Sequence, residues 1–415
     1  MKVFKFGGAS VKNADAIRNM CNIINNYSKD KLVVVISAMG KTTNALEAVI
    51  AAKLNNRNFE EDIEAIHNYH RKICLELFEA NDHIFTTIAA VFNDLRHELN
   101  QDFNYNQLYD QVVSKGELIS TKIIAAYLNK KNCHTEWLDA REYIRTDNNF
   151  REGRVDWRLT EELIRHDIAQ KAEENILVTQ GFIGRSKNNF TITLGREGSD
   201  FTAAIFGYCL SADSVTVWKD VPGILNADPK VIPDAILFDE LPYKEAAEMT
   251  YYGASVIHPK TIKPLANKGI PLHVRSFDQP DKPGTIIHDC KLETLPPTII
   301  IKNEQCLVSF KVIDYTFINE ENLSLIFKSL SEIDMKINIM QNSAISFSIV
   351  VDYEFNKVER LLDSLKSHFE IRYNTGLKLI TVKNYAQEIL NKYRTDQRIL
   401  LEQISRNNYR ALIAP

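Results

Sequence analysis

The densest chemistry in the chain sits at residues 191–204, TITLGREGSDFTAA. The residue types predict a strand over Thr191–Leu194, a tight turn over Gly195–Gly198 and a helix from Ser199 onward, with Ser199 as a fair N-cap. A helix start presents unpaired amides and a positive dipole end, which attract phosphate or carboxylate. Arg196 and Asp200 then place a forked cation and an anion at one turn. These are the parts of a small-molecule site, although a surface turn carrying an Arg–Asp pair would read the same way in isolation. The other polar turns of the chain weigh on that choice.

The opening strand, MKVFKF, runs into Gly7-Gly8-Ala9-Ser10. Two glycines let a backbone approach a ligand closely with its amides forward. Lys5, near the end of that strand, can reach a phosphate held by the loop; a solvent-facing lysine before a turn is the plainer reading. The continuous apolar run KLVVVISA at 31–38 is the pattern of a central parallel strand covered on both faces. It ends in Met39-Gly40-Lys41-Thr42-Thr43-Asn44. This GKT is not a P-loop, because Val35 stands where the first glycine is required. Ser37 and Thr43 remain as hydroxyls at the carboxyl end of a strand. Residues 45–130 read as several helices broken near Asn55–Asn58 and Asn100–Asn106. Glu117 is expected close to the start of an apolar helix, where the dipole favours a carboxylate. Further strands are expected at Thr135–Leu138, 175–183, Ser214–Trp218 and Pro271–Arg275. Helices are expected at about Pro242–Tyr251 and Pro259–Asn267. Asp220 and Lys219 end one of these strands, and His258 reads as a structural hydrogen-bonding residue.

Composition limits what the elements can build. A chain of 415 residues is too long for one ordinary core, and 45% apolar with 25% charged residues is the balance of a globular protein. A net charge of −4 without a Lys/Arg-dense run argues against a nucleic-acid partner. No stretch approaches ~18 consecutive apolar residues, which argues against a membrane span. The N-terminus lacks the apolar segment of a signal peptide. Six scattered cysteines without a CxxC fit buried thiols in a reducing cytoplasm better than metal ligands or disulfides. Alternating strands and helices over 1–290 imply an α/β domain with a mainly parallel sheet sandwiched by helices. Its strand carboxyl ends would share one edge, so distant turns can converge. A Pro-rich linker is expected at 278–297. Beyond it, 298–415 reads as an α+β region in the βαββαβ ferredoxin-like order over about 304–375: strands at 306–313, 336–341, 344–351 and 369–374, helices at 321–332 and 355–367. A truncated second copy is expected over about 376–415, with strands at 377–382, 398–404 and 408–413 around a short polar helix.

Taken together, KFGGAS (5–10), SAMGKTTNAL (37–46), GELIST (116–121), TQGFIG (179–184), TLGREGSDFTAA (193–204), WKDVPGI (218–224) and GASVIHPKTI (253–262) resemble the aspartate kinases of the amino-acid kinase family, and the tail resembles their paired ACT domains. The resemblance spans essentially the whole chain and rests on seven motifs in order. It implies transfer of the γ-phosphoryl of ATP to the side-chain carboxylate of L-aspartate, with Mg²⁺ bridging the phosphates. A carboxylate acceptor of the phosphoryl group is already ionised and needs no general base, and no metal ligand set is assigned to the protein. The resemblance makes Lys5 and Asp200 catalytic. It places Ser37, Ala38, Thr43, Glu117, Phe182, Arg196 and Ser199 around the substrate, Arg196 gripping the α-carboxylate and Glu117 the α-ammonium. It assigns Lys5, Gly7, Gly8, Lys219, Asp220, Gly223, Lys230, Ser255 and Lys260 to the nucleotide.

Four residues depart from the family pattern: Ala9 for Thr, Glu197 for Gly, Ser255 for Lys and Lys219 for Thr. Lys219 would supply the nucleotide-side charge that Ser255 cannot. In the tail, Asn322, Asn338, Ile339, Met340 and Gln341 fall on the corresponding effector region, with lysine or threonine as candidate effectors. A tail of exposed strand edges implies a homodimer.

Overall fold

The run LVVVI is buried at all five positions, and a strand apolar on both faces forms only where helices cover both sides of its sheet. The computed structural model, which describes residues 1–254, 257–313, 316–385 and 398–414, builds its first unit around that strand. This unit comprises Met1–Ile224, Leu237–Thr250 and Ser255–Leu292, and the second comprises Leu225–Ile236, Tyr251–Ala254 and Glu293–Pro415.

In chain order the first elements are β1 (Lys2–Phe6), α1 (Ala14–Asn25), β2 (Leu32–Ile36), α2 (Thr42–Leu54), α3 (Glu60–Leu77), α4 (Ile84–Leu99) and α5 (Tyr105–Lys130). Next come β3 (Thr135–Leu138), α6 (Ala140–Tyr143), β4 (Arg145–Thr146), α7 (Trp157–Lys171), β5 (Ile176–Gln180), β6 (Ile183–Ser186) and β7 (Thr191–Thr193). They are followed by α8 (Gly198–Leu210), β8 (Ser214–Lys219), β9 (Glu240–Pro242), α9 (Tyr243–Tyr251), α10 (Pro259–Lys268), β10 (Leu272–Ser276) and β11 (Thr285–His288). The main sheet has the order β3-β5-β2-β1-β8-β10-β11-β9. Its first six strands are all parallel, and β11 returns antiparallel to β10. β4, β6 and β7 form a small separate sheet.

Register decides where the strands end. Phe6 pairs with Ile36 and Trp218, Ile36 with Gln180, and Lys219 with Ser276. The loops that follow β1, β2, β5 and β8 therefore leave from one edge of the sheet. Phe4, Phe6 and Trp218 pack ring against ring in the centre, Phe6 stacked on Trp218 at 6.0 Å between centroids. The expected linker over 278–297 is corrected in part: β11 occupies Thr285–His288 and belongs to the main sheet.

The second unit contains β12 (Thr298–Val312), α11 (Glu320–Glu332), β13 (Ile337–Asn342), β14 (Ser346–Asp352), α12 (Phe355–Leu365), β15 (Phe369–Lys383), β16 (Ile399–Ile404) and β17 (Asn408–Ile413). They make one antiparallel sheet of order β13-β14-β12-β15-β17-β16. The βαββαβ order runs from β12 to β15, with Phe310, Ile326, Ile349, Leu361 and Phe369 in the core beneath its helices. Two strand boundaries differ from expectation. β12 and β15 are each 15 residues long, so 298–302 and 377–383 continue strands of the first βαββαβ pass. The short polar helix expected after 382 falls largely on 386–397, outside the described residues.

Candidate active site

Three loops meet at the common strand edge. Gly7-Gly8 follows β1, Ser37–Gly40 follows β2, and Gly181-Phe182 follows β5. The backbone laces them together: the Ser37 amide donates to Phe6 O at 3.1 Å, the Gly40 amide to Gly8 O at 3.0 Å, and the Gly181 amide to Ile36 O at 2.9 Å. Gly8 is compelled by this packing, since a Cβ there would lie 2.7 Å from Ala38 O and 2.9 Å from Gly40 O. Ser199 packs against Gly181, and Phe182, with φ at +72°, lies against Gly198. Its amide donates to Thr202 Oγ1 at 2.9 Å, which ties the β5 loop to α8.

The first turn of α8 carries the charge. Asp200 is 2% exposed and bridges two lysines, Lys5 Nζ at 2.6 Å and Lys219 Nζ at 3.1 Å. Burial pushes its carboxyl up, but Lys5 and then Lys219 outweigh that and hold it below the usual carboxylate range. Lys5, in the centre of the sheet, is 8% exposed, and Gly7 lies against its ammonium. A buried lysine at the end of a strand, held by a buried acid, is arranged to meet an anion.

Glu117 approaches the same loops from α5. One oxygen accepts from the Ala38 amide at 3.2 Å, and the other is buried without a hydrogen-bond partner. Burial pushes its pKa up to about 8, against opposing pulls from the Ala38 amide and Lys5. Its expected place near a helix start is corrected: α5 begins at Tyr105, so Glu117 lies mid-helix and far from any dipole end. The helix runs straight through Gly116, where a Cβ would sit 2.9 Å from the Ala38 Cβ. The expected cap is corrected as well. Glu197, in the left-handed region at φ +53°, precedes α8, and Ser199 lies inside the helix.

The remaining expected residues are spread around this core. Ser37 O accepts from Ser120 Oγ, and Thr43 is half-buried in the first turn of α2. Arg196 is exposed at the turn before α8, and Asp220 is exposed just past β8. Lys260, at the start of α10, lies 4.0 Å from Glu152, which packs against Gly195. Gly223 has a packing role: at φ +153° it abuts Thr285, whose hydroxyl accepts from the Ile224 amide at 2.8 Å. Lys230 is exposed on a segment grouped with the second unit, and Ser255 lies outside the described residues. His258 caps α10 by accepting from the Lys260 amide.

Two supporting residues escaped the sequence reading. Asp110 accepts from Thr193 N at 3.0 Å, Thr193 Oγ1 at 2.7 Å and Arg151 N at 2.9 Å. Gln111 exchanges two hydrogen bonds with the Thr191 backbone. Together they clamp β7, and with it the turn that aims α8. Their signal was two polar residues on an otherwise apolar stretch of helix.

In the second unit, Asn338 donates to Gln305 Oε1 and Asp352 Oδ1, and accepts from Lys302 Nζ at 2.9 Å. Ile339 is buried, while Met340 and Gln341 are exposed. Asn322 is committed to a reciprocal cap with Asn319 at the start of α11.

A family model for the amino acid kinase family matches residues 1–276. The lysine-sensitive aspartokinase 3 of Escherichia coli K12 is 32% identical over 92% of this chain and 86% of its own. The chain belongs to the amino acid kinase family, in its aspartokinase branch. This amino acid kinase is also 30% identical to the chloroplastic aspartokinase 2 of Arabidopsis thaliana, over 84% of this chain and 66% of that one. A chloroplastic bifunctional aspartokinase/homoserine dehydrogenase of the same plant is 29% identical, with this chain spanning 42% of its length. Among solved structures, E. coli aspartokinase III with aspartate and ADP superposes with a TM-score of 0.85 at 26% identity, over 100% of this chain and 96% of that one. The same enzyme with lysine and aspartate gives 0.82 at 28% identity, over 99% and 95%.

Proposed function

We propose that this kinase transfers the γ-phosphoryl of ATP to the side-chain carboxylate of L-aspartate, giving 4-phospho-L-aspartate for lysine, threonine and methionine synthesis. The observation that carries this reading is the buried Lys5–Asp200–Lys219 bridge, set beside the unpartnered Glu117 oxygen at one sheet edge. The acceptor carboxylate is ionised at neutral pH, so the protein has charge and alignment to supply rather than a base. Lys5, aimed by its ion pair with Asp200, neutralises the transferring phosphoryl, with the Gly7 and Gly8 amides beside it. Arg196 takes the α-carboxylate as a planar fork. Glu117 ionises against the α-ammonium, and Ser37, Ala38, Thr43, Phe182 and Ser199 shape the pocket. Lys219 and Lys260 stand on the nucleotide side.

Mg²⁺ keeps most of its ligands as water and phosphate oxygens and takes one or two carboxylates. The exposed carboxylate of Asp220, past β8, fits that habit and would hold it. Bound there, the ion would supply charge neutralisation to the triphosphate. The test is acyl phosphate trapped with hydroxylamine across a panel of amino-acid acceptors. Hydroxamate from aspartate alone supports the assignment, and another preferred acid overturns it.

Lysine is the proposed effector of the second unit, in line with the lysine-sensitive E. coli relative, and the exposed Met340 and Gln341 would face it. Calorimetry with lysine, threonine and methionine checks this, and no heat from any of them removes it. Among the described residues β13 and β16 are the outer strands of the sheet, edges that a second copy could extend, so a homodimer is the proposed assembly. Light scattering on purified protein decides it. No described helix is long and apolar enough to cross a membrane. Five of the six thiols are buried and free, which supports the cytoplasmic reading.

A further inference from the structure

Two neighbouring residues of α3, neither of them among the expected site residues, reach the loops of the active site. The Tyr69 hydroxyl donates to Lys12 O at 2.5 Å. Lys12 closes the short 3₁₀ turn Gly8–Val11 that follows β1, and a carbonyl at the end of such a turn has no partner inside it. The same hydroxyl lies over Gly40, in the loop that follows β2: a Cβ added there would sit 2.7 Å from it. Gly40 is in the left-handed region at φ +54°, so its backbone and the room above it both suit glycine. His70, the next residue of α3, is buried. Its Nε2 lies 3.4 Å from the Thr42 hydroxyl, which itself donates to Met39 O at 2.6 Å. The half-buried Tyr69 stands edge-on against the His70 ring at 5.0 Å between centroids, and His70 meets Phe92 of α4 at 6.2 Å. A row of rings thus backs the phenol and fixes its hydroxyl between two loops.

We infer that Tyr69 is a positioning residue for phosphoryl transfer: its hydroxyl straps the loop after β1 to the loop after β2 and so sets the spacing between the two halves of the reaction. The inference rests on the kinase reading above. In that reading Gly7 and Gly8 lie on the phosphoryl side. Ala38 lies on the substrate side, where its amide donates to Glu117 at 3.2 Å. Backbone bonds already join the loops at two points, from the Ser37 amide to Phe6 O and from the Gly40 amide to Gly8 O. Two points leave rotation about the line between them. The strap adds a third, at Lys12, across the 3₁₀ turn from Gly8. Without it each loop keeps its own contacts to its ligand, so affinity changes little. What suffers is alignment, and in a reaction carried by alignment and charge a displacement of about 1 Å is worth up to about 100-fold in rate.

The experiment is Tyr69→Phe in the full chain, read by the single-turnover rate of acyl phosphate formation, trapped with hydroxylamine. The ring stays and only the hydroxyl goes, so the variant should melt within about 4 °C of the wild type. The single-turnover rate is expected to fall about 5- to 20-fold, while the KM values for aspartate and ATP each change less than about 2-fold. Hydrogen exchange should quicken in peptides covering 8–12 and 37–42 and stay as it was in β2 and β5. A single-turnover rate within about 2-fold of the wild type overturns the assignment, and so does a loss carried by either KM. Wild-type protein that forms no hydroxamate with aspartate would overturn the kinase reading instead. Exchange over 8–12 and 37–42 would still report whether the hydroxyl ties the two loops.

Discussion

With one oxygen on the Ala38 amide and the other buried and unpartnered, Glu117 keeps its proton up to about pH 8. In the unfolded chain it would lose it near 4.3. The folded protein therefore binds one more proton than the unfolded one across that window. The sign follows: this group's contribution to stability is complete below about pH 4 and fades as pH rises toward 8. Glu117→Gln should flatten that decline, which urea unfolding at pH 5.5, 7 and 8.5 would show. A cationic α-ammonium favours the ionised form, so aspartate binding at pH 7 should release close to one proton. Calorimetry in buffers of different ionisation enthalpy measures that number, and zero release removes the pairing. Asp200 behaves oppositely: burial raises its carboxyl, but Lys5 and Lys219 hold it below the usual range, so its contribution is present at neutral pH and is lost as pH falls. Asp200→Ala would strand Lys5 as a buried, uncompensated cation, at about 3–5 kcal/mol of stability. Asp200→Asn keeps the shape and should lose kcat by at least about 100-fold while remaining folded, as circular dichroism and a single-turnover assay would report.

At the scale of elements, the turn before α8 is held by α5 more than by its own residues. Asp110 satisfies three donors at once, two on Thr193 and one on Arg151. Asp110→Ala leaves both Thr193 donors buried and unpaired and the Arg151 amide without this partner, a loss of about 3 kcal/mol, and frees the turn that carries Arg196. Thermal melting should fall, and the KM for aspartate should rise more than the KM for ATP. The same element shows where sequence reading stops. The apolar run of β2, the breaks near 55 and 100, and the glycine turns after β1 and β5 were legible because each depends on neighbours in sequence. Glu117 was misplaced because α5 begins at Tyr105 and runs on through Gly116, where it packs tightly against Ala38. Ser199 was misread as a cap because nothing in GREGSD says that Glu197 takes the left-handed turn. β12 and β15 were read as shorter pieces because each contains a residue at positive φ, Glu304 and Gly376, where the paired strands shift register and continue. Long-range approach, not local preference, sets all three. Asp110, meeting Thr193 from 83 positions away, belongs to the same class.

For the molecule as a whole, the division into two units does not follow the chain. Residues 225–236 and 251–254 leave the first unit's stretch of sequence and are grouped with 293–415. The reason is visible in their bonds. The Ile299 amide donates to Asn226 O at 2.7 Å, Asn226 Nδ2 donates to Pro297 O at 2.9 Å, and the Arg410 guanidinium lies 4.9 Å from the Tyr252 ring. A chain ended after Leu292 would lose every one of these partners while keeping the segments that need them. Such a truncation should therefore be less stable than the first unit within the full chain, rather than a free-standing kinase. Scanning calorimetry makes the comparison. The full chain is expected to show two transitions, one of which rises with MgADP while the other stays fixed, because a ligand stabilises only the unit that binds it. At ADP 100-fold above its Kd that rise corresponds to about 2.7 kcal/mol. The truncated chain should melt below the ADP-responsive transition of the full protein, both with and without nucleotide. Equal melting of the two would show that 225–236 and 251–254 gain nothing from the residues they are bonded to.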